Sequence, residues 1–487
     1  MKDQSILLSL ILLLALVNTP SVVGQSLLWT RTYGGQGQDG GESMVLTNNG
    51  AIVIAGFKST NSLMDVLIMK TDALGNEIWS RTYNLGLNDW GRSLQKTQDG
   101  GFIIAGMTEV NPQTFDPILI KTDSAGIMQW QHQYDYGFGD DDRGHAVWQT
   151  SDGGFILAGQ TWLGSPTFGS YDMYVVKTDG FGNIQWRQTY AYDNAAAPGA
   201  DVALSIEQLS DRGYIIGGFT QSSSWASYII RTDSLGNAIW SHIYPGSWQS
   251  ECYDIQATPD GGFILTGTES SFETDGDLLI IKLDANGNLT WKKIYGTVDA
   301  EQGESIQRLQ DGGYIIAGMS AHGAGGYDMY VVRTNSTGDS LWSRTIGGSG
   351  DDRVFSVASA QAGSFFVTGW AWSYGQGLGD VYLLKLVDSP LEVKDDSNRP
   401  TTTTLFQNYP NPFNPSTTIQ FHIAQTSFTT LKVYNLLGQE VATLVNNGMK
   451  PGTYDVKWNA SFLSNGFYLY QLRVNGFTET KRMLLLK

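Results

Sequence analysis

Short apolar, β-branched runs alternate with glycine-bearing turns along most of the chain, and no long stretch keeps the 3.6-residue period of an amphipathic helix. The stretch Asp65–Trp79, DVLIMKTDALGNEIW, sets the pattern: a buried-strand run, a turn built on Asp72 and Gly75, then a strand carrying Trp79. It returns at Trp130, Trp186, Trp240, Trp291 and Trp342, after a partial copy ending at Trp29. Successive tryptophans are therefore 50, 51, 56, 54, 51 and 51 residues apart, a period in the range of propeller blades. In the first full unit the pattern predicts four strands, Glu42–Thr47, Ala51–Phe57, Asp65–Thr71 and Glu77–Tyr83. The first hairpin is marked by Asn49-Gly50 here and by Asp-Gly-Gly at residues 99–101, 152–154, 260–262 and 311–313.

The chain opens on Leu27–Tyr33, an outer strand without partners, and residues 355–388 supply three strands without an outer one. The two segments are expected to complete one blade between them, which leaves no free sheet edge. The expected architecture is all-β: a seven-bladed β-propeller over residues 25–388, closed by strand exchange, followed by a small Ig-like β-sandwich. Trp29, Trp79, Trp130, Trp186, Trp240, Trp291 and Trp342 are read as blade-docking residues, because a large ring on the outer strand fills the widening gap between neighbouring sheets.

Lys70, Asp72, Gly75, Trp79 and Tyr83, together with Tyr33-Gly34-Gly35-Gln36-Gly37-Gln38-Asp39, resemble the repeat of the bacterial seven-bladed β-propeller family over about residues 27–388. The D-x-x-G-x-x-x-W part is also similar to the tryptophan-docking turn of pyrroloquinoline-quinone propellers and, more distantly, to the Asp-box of sialidases. These likenesses concern scaffold turns and imply fold, not chemistry.

Composition narrows the setting. The chain has 487 residues, 58 glycines, 41% hydrophobic residues and a net charge of −17. That charge argues against a nucleic-acid partner. Residues 1–24 carry Lys2, an apolar run from Ile6 to Val17 and small residues before Gln25, as a cleaved secretory signal would. No later segment has the length and apolarity of a transmembrane helix. Cys252 is the only cysteine, so no internal disulfide forms and packing must hold the chain together.

Residues 389–404, SPLEVKDDSNRPTTTT, read as a linker, and residues 405–487 as a second β-domain with strands at Ile419–Ile423, Leu431–Tyr434, Thr453–Trp458 and Phe467–Val474. The segment NYPNPFNPS, with Asn408, Pro410, Asn411 and Pro412, and the terminal KRMLLLK, with Lys481 and Lys487, resemble the C-terminal sorting domain of type IX secretion cargo. The stretch is also similar to the Ig-like domain of flagellar hook-capping proteins. This resemblance implies export to the surface of a Gram-negative cell or beyond it, with the type IX machinery as partner.

Candidate chemistry gathers at one end of the expected propeller. The connections between blades carry Asp39, Asp89, Asp142, Asp201, Glu301 and Asp352, with Glu251 one position out of register. They are read either as an acidic rim that attracts Ca²⁺ or as turn residues that accept backbone amides. Asp140, Asp141 and Asp142 form the candidate cation run; no other cofactor is expected. Trp90, Trp162, Trp225, Trp248, Trp370 and Trp372 break the repeat register and are candidate ligand contacts for the apolar face of a sugar. Lys70, Lys121, Lys177, Arg231, Lys282, Arg333 and Lys385 recur at one strand position, as scaffold does, and so do the aspartates five residues before them. No catalytic residue is assigned: the vicinal cysteines common in quinoproteins are impossible here, and no arginine triad with a tyrosine nucleophile can be placed. The leading expectation is a non-catalytic binding or adhesion module for glycan or another extracellular polymer. The alternatives are a glycoside-cleaving enzyme on the same scaffold and a purely structural envelope component.

Overall fold

The computed structural model describes residues 23–487 apart from 138–140, 166–167, 193–198, 222–224, 272–275, 298, 323–324, 361–362, 391–401, 426 and 450–451. Among the described residues there is no helix, and contacts divide the chain into two compact units, Val22–Ser389 and Pro390–Lys487. The larger unit consists of four-stranded sheets of the kind that form propeller blades. In the first, Asp39–Leu46, Ile52–Thr60, Leu63–Thr71 and Glu77–Tyr83 pair antiparallel in sequence order. Five more sheets repeat this order. A seventh combines Asp352–Ser359, Ser364–Ala371 and Asp380–Pro390 with Val23–Tyr33 at its outer edge.

The strands form where the apolar pattern placed them, with shifted ends. The innermost strand starts at Asp39, not Glu42, because the Asp39 carboxylate anchors the backbone there. The second strand runs to Thr60, three residues past Phe57. The first strand begins at Val23, inside the expected signal segment, of which residues 1–22 lie outside the described residues. Asp380–Pro390 extends two residues into the expected linker.

Apolar clusters bury the faces between consecutive sheets. Ile68 and Val66 pack with Ile104 and Ile118, Ile229 with Leu265, and Met329 with Val367. Another cluster joins Ile54 and Met69 of the first sheet to Phe366 and Leu383 of the seventh. Each turn glycine then packs against the previous sheet's tryptophan. A Cβ on Gly75, Gly126, Gly182, Gly236, Gly287 or Gly338 would lie between 2.5 and 3.1 Å from the ring of Trp29, Trp79, Trp130, Trp186, Trp240 or Trp291 respectively. Each of these glycines also has φ of +71° to +85°, so both the space and the dihedral require glycine. The tyrosine four residues past the tryptophan clasps the same turn: Tyr83 Oη donates to Gly126 O at 2.5 Å and Tyr134 Oη to Gly182 O at 2.9 Å.

The innermost strands also touch one another. Leu94 N donates to Ser43 Oγ (3.1 Å), Val147 N to Ser93 Oγ (3.3 Å), Ile255 N to Ser205 Oγ (3.3 Å) and Met44 N to Ser356 Oγ (3.2 Å). The last of these links the innermost strand of the seventh sheet to that of the first. The recurring cations stabilise the far end: Lys121, Lys177 and Lys282 are buried and pair with Asp99, Asp152 and Asp260 of the hairpin turns at 2.8, 3.0 and 2.9 Å.

The smaller unit has two sheets around one apolar core that includes Phe413, Phe421, Leu431, Tyr470 and Leu485. One sheet holds Thr404–Leu405, Ser416–Ile423 and Gly452–Asn459; the other holds Glu440–Met449, Ser427–Tyr434, Gly466–Val474 and Phe477–Leu485. Glu440–Met449 and Phe477–Leu485 are not among the strands read from the sequence; they form the two edges of their sheet.

Candidate functional site

Antiparallel order places two sets of connections at one end of the larger unit: those joining the second strand to the third, and those passing to the next sheet. The Asp-Gly turns lie at the other end. The six tryptophans singled out in the sequence divide into two groups at the first end. Three belong to strands, not loops, because these strands run longer than their apolar pattern. Trp90 lies in the innermost strand Asp89–Lys96, edge-on to Phe115 at 5.5 Å. Trp162 faces Tyr171 across a hairpin at 5.0 Å. Trp370 stacks on Phe355 with the Arg353 guanidinium 5.4 Å from its ring. The other three project: Trp248 is 57% exposed, Trp372 is 52% exposed and Trp225 is also partly open.

Trp225 and Trp248 stand on adjoining connections. Trp225 bridges Gln249 and its carbonyl accepts from Ser250 N, while Trp248 N donates to Ser270 O. Beside them is a cavity of about 210 Å³ whose wall includes Gln249, Glu251, Tyr253, Thr268, Gln302 and Tyr327. Its lining is almost entirely hydrogen-bonding.

The interblade acids do not form an open rim. Asp39, Asp89, Asp142, Asp201, Glu301 and Asp352 are buried and latch the backbone. Asp39 accepts from Gly35 N (3.0 Å) and Ser59 N (2.9 Å), and Asp352 from Gly348 N (2.8 Å) and Ser373 N (3.0 Å). In the fifth sheet the latch position is Ser250, three residues before the bulged Tyr253, and not Glu251, which lines the cavity and accepts from Gln249 Nε2 at 2.8 Å. Of the candidate cation run, Asp140 lies outside the described residues. Asp141 pairs with Arg143 at 2.8 Å and accepts from Tyr171 Oη at 2.7 Å, and Asp142 accepts from Tyr136 N and Trp162 N. Among the described residues no group of three or more acidic, His or Cys side chains is arranged to hold a metal.

The innermost strands carry a set of residues that sequence reasoning missed. Every innermost strand has a β-bulge at the same place, and the extra residues are Glu42, Arg92, His145, Leu204, Tyr253, Glu304 and Phe355. They break the ladder of their strands, and a bulge re-aims the side chain it carries. Arg92 Nη1 lies 3.1 Å from Glu42, Gln302 donates to Glu304 at 2.6 Å, and Tyr253 Oη donates to Glu251. Burial pushes Glu304 up to about 8, and the charged groups that act on it, Glu42, Arg92, Glu251 and Arg353, stand on four other sheets. Burial holds His145 down to about 3, with Arg92 adding to the effect. The sequence signal is a column three residues past the latch acid that differs in almost every unit while its flanks repeat.

In the smaller unit, buried Asn408 donates to Thr417 Oγ1 (2.9 Å) and Pro410 O (3.1 Å), and its own N–H donates to Tyr470 Oη. The bonds preceding Pro410 and Pro412 are cis. Asn411 Oδ1 accepts from Leu484 N, Lys481 pairs with Glu479 at 3.1 Å, and Lys487 Nζ donates to Ser461 O and Leu463 O.

An all-β chain with a bladed unit and a separate end unit built on this Asn–Pro turn fits an exported surface protein. Residues 407–486 match the family described as "Secretion system C-terminal sorting domain", and the match does not extend into the repeats. No curated protein matches the sequence. Distant likenesses to solved structures include a protein of unknown function from Dyadobacter fermentans (10% identity, TM-score 0.45, covering 76% of this chain and 100% of that one). PorZ, a surface component of the type-IX secretion system of Porphyromonas gingivalis, matches at 12% identity and TM-score 0.40, covering 93% of this chain and 60% of PorZ. Polysaccharide lyase Uly1 matches at 10% identity and TM-score 0.42, covering 72% of this chain and 90% of the lyase. At these TM-scores the likenesses support no functional argument. The sorting domain marks the chain for the type IX machinery and for the cell surface or extracellular space of a Gram-negative bacterium. Among the described residues no helix is long and apolar enough to cross a membrane.

Proposed function

We propose that the chain is a secreted binding module: a signal peptide over residues 1–24, a closed seven-bladed propeller over 25–388, a linker over 389–404 and an Ig-like sorting domain over 405–487. Its ligand is a glycan or similar extracellular polymer, held at the connection end of the propeller. One observation carries this reading: the projecting indoles of Trp225 and Trp248 beside a cavity lined by amide, hydroxyl and carboxylate groups. Indole faces cover the apolar face of a sugar ring, and the cavity groups can exchange hydrogen bonds with its hydroxyls. Closure of the propeller is supported by the neighbouring Val23–Tyr33 and Asp380–Pro390 strands and by the Met44–Ser356 hydrogen bond.

Retention of the full chain on immobilised polysaccharides tests the reading. Replacing Trp225 and Trp248 together by alanine is expected to abolish retention while thermal unfolding stays unchanged; undiminished retention would refute it. A glycoside-cleaving enzyme is the second reading, favoured by Glu304, which keeps its proton to about pH 8 while Glu251 stands close enough to act on it. Release of reducing ends, abolished by Glu304→Gln, would establish that reading.

A further inference from the structure

Two devices close the Asp-Gly turn end of the larger unit. In five sheets the strand cation pairs with the turn aspartate: Lys121 with Asp99, Lys177 with Asp152, Lys282 with Asp260, Arg231 with Asp211 and Arg333 with Asp311. Across three of the seams between sheets, a long polar side chain at the end of the innermost strand reaches back to the previous turn. Lys96 Nζ donates to Asn48 Oδ1 at 2.8 Å, Gln149 Oε1 accepts from Gln98 N at 2.8 Å, and Gln208 Oε1 accepts from Ser151 N at 2.7 Å.

Both devices are missing at the seventh sheet. Its turn keeps the usual frame, with Ala360 N donating to Ser364 O at 2.7 Å as Thr97 N does to Gly101 O at 2.9 Å, but Ala362 stands at the position of the turn aspartate. Partly buried Lys385 is left without a carboxylate: its Nζ lies 5.1 Å from the centroid of the Phe366 ring, and it forms no ion pair or hydrogen bond with a described residue. The positions that would reach across the two flanking seams hold Ser359, which is too short, and Leu46, which is apolar. A half-open cavity of about 830 Å³ lies there instead, between turns of the sixth, seventh and first sheets, and Leu46, Asn48, Asn49, Gln310, Ser359 and Lys385 are part of its wall.

Asp311 and Asp388 also border the cavity, but Arg333 holds both, and Asp388 accepts from Trp342 Nε1 at 2.6 Å as well. The groups left over are donors. The side-chain oxygens of Asn48 and Asn49 already accept from Lys96 and Thr47, which leaves their NH₂ groups to meet an incoming molecule, and Lys385 adds an ammonium with its charge unanswered. An oxygen-rich anion complements such a wall, and the volume is that of a small-molecule site, with room for sugar rings around the charge. We propose that this cavity is a second binding site, for a carboxylated sugar whose carboxylate pairs with Lys385. It does not rest on the Trp225–Trp248 reading, because those residues stand at the opposite end of the sheets.

The test titrates the full chain calorimetrically with digalacturonate and diglucuronate, with their uncharged methyl esters, and with sodium sulfate. At least one of the two uronates is expected to bind, and the esters and sulfate to bind far more weakly. Lys385→Gln is expected to weaken uronate binding by about tenfold or more with Tm unchanged, since a charge-assisted contact is lost. Should that variant fail to fold, Ala362→Asp restores the turn residue that five other units carry and is expected to abolish binding while raising Tm. Replacing Trp225 and Trp248 by alanine is expected to leave uronate affinity unchanged; its loss there would place the ligand at the other end and overturn the proposal. No uronate binding, equal binding of the esters or of sulfate, or undiminished affinity in both Lys385→Gln and Ala362→Asp also overturns it.

Discussion

Replacing Glu304 by glutamine gives the most quantitative check on the axial cluster. In the unfolded chain this carboxyl titrates near 4.5, whereas in the fold it holds its proton up to about 8. Below pH 4.5 the group is neutral in both states and contributes nothing to the balance. As pH rises, the unfolded chain ionises first and is favoured, so stability is lost between pH 4.5 and 8 and stays low above that. At about 1.4 kcal/mol per pH unit the ceiling is about 5 kcal/mol. Relaxation of the fold around the new charge brings the expected value down to about 2 kcal/mol. Glutamine preserves the oxygen that accepts from Gln302 Nε2 but cannot ionise. For a unit of this size, 1 kcal/mol corresponds to ~1–2 °C in Tm. Calorimetry is therefore expected to show equal Tm values at about pH 4 and, at about pH 8, a variant about 3 °C more stable than the parent. Parallel Tm-versus-pH curves, or a variant less stable on the alkaline side, would show that Glu304 does not carry a buried proton.

Four other outcomes rest on particular contacts. Asp388→Ala leaves buried Arg333 Nε and Trp342 Nε1 without their carboxylate partner, at 3.0 and 2.6 Å, and is expected to cost about 2–4 kcal/mol in denaturant unfolding. Gly126→Val forces a branched side chain into the Trp79 ring at φ +71° and is expected to cost about 3 kcal/mol or more, whereas the same change at Gly100, φ +84° with open space around it, costs only the dihedral term. Asn408→Ala removes two hydrogen bonds from a buried turn of the sorting domain and is expected to lower its stability by about 2 kcal/mol, read by proteolysis of the isolated secreted fraction. Deleting residues 405–487 is expected to retain the protein inside the outer membrane, read by cell fractionation; normal appearance at the surface would contradict the sorting assignment.

Much of the scaffold was legible because it repeats. The apolar runs, the Asp-Gly turns and the tryptophan period are each imposed by local chemistry: β-branched residues suit buried strands, and only glycine tolerates the turn dihedral beside a neighbouring indole. The site was less legible. Trp90, Trp162 and Trp370 looked like loop residues because the apolar pattern ends before the strands do. The interblade acids left two readings open, a rim or an anchor for backbone amides, because a turn aspartate and a channel aspartate read alike in sequence, and burial distinguishes them.

By itself, then, the amino-acid order determined the all-β character, the sheet-by-sheet period and the export signal at the C-terminal end, because these depend on side chains close together in the chain. Tertiary structure decided which residues leave the ladder, since the bulge at Glu42, Arg92, His145, Tyr253 and Glu304 is a property of strand pairing. It also decided which carboxylates meet. Asp39 and Asp380 are separated by almost the whole larger unit in sequence, yet both carboxylates stand against Gly34.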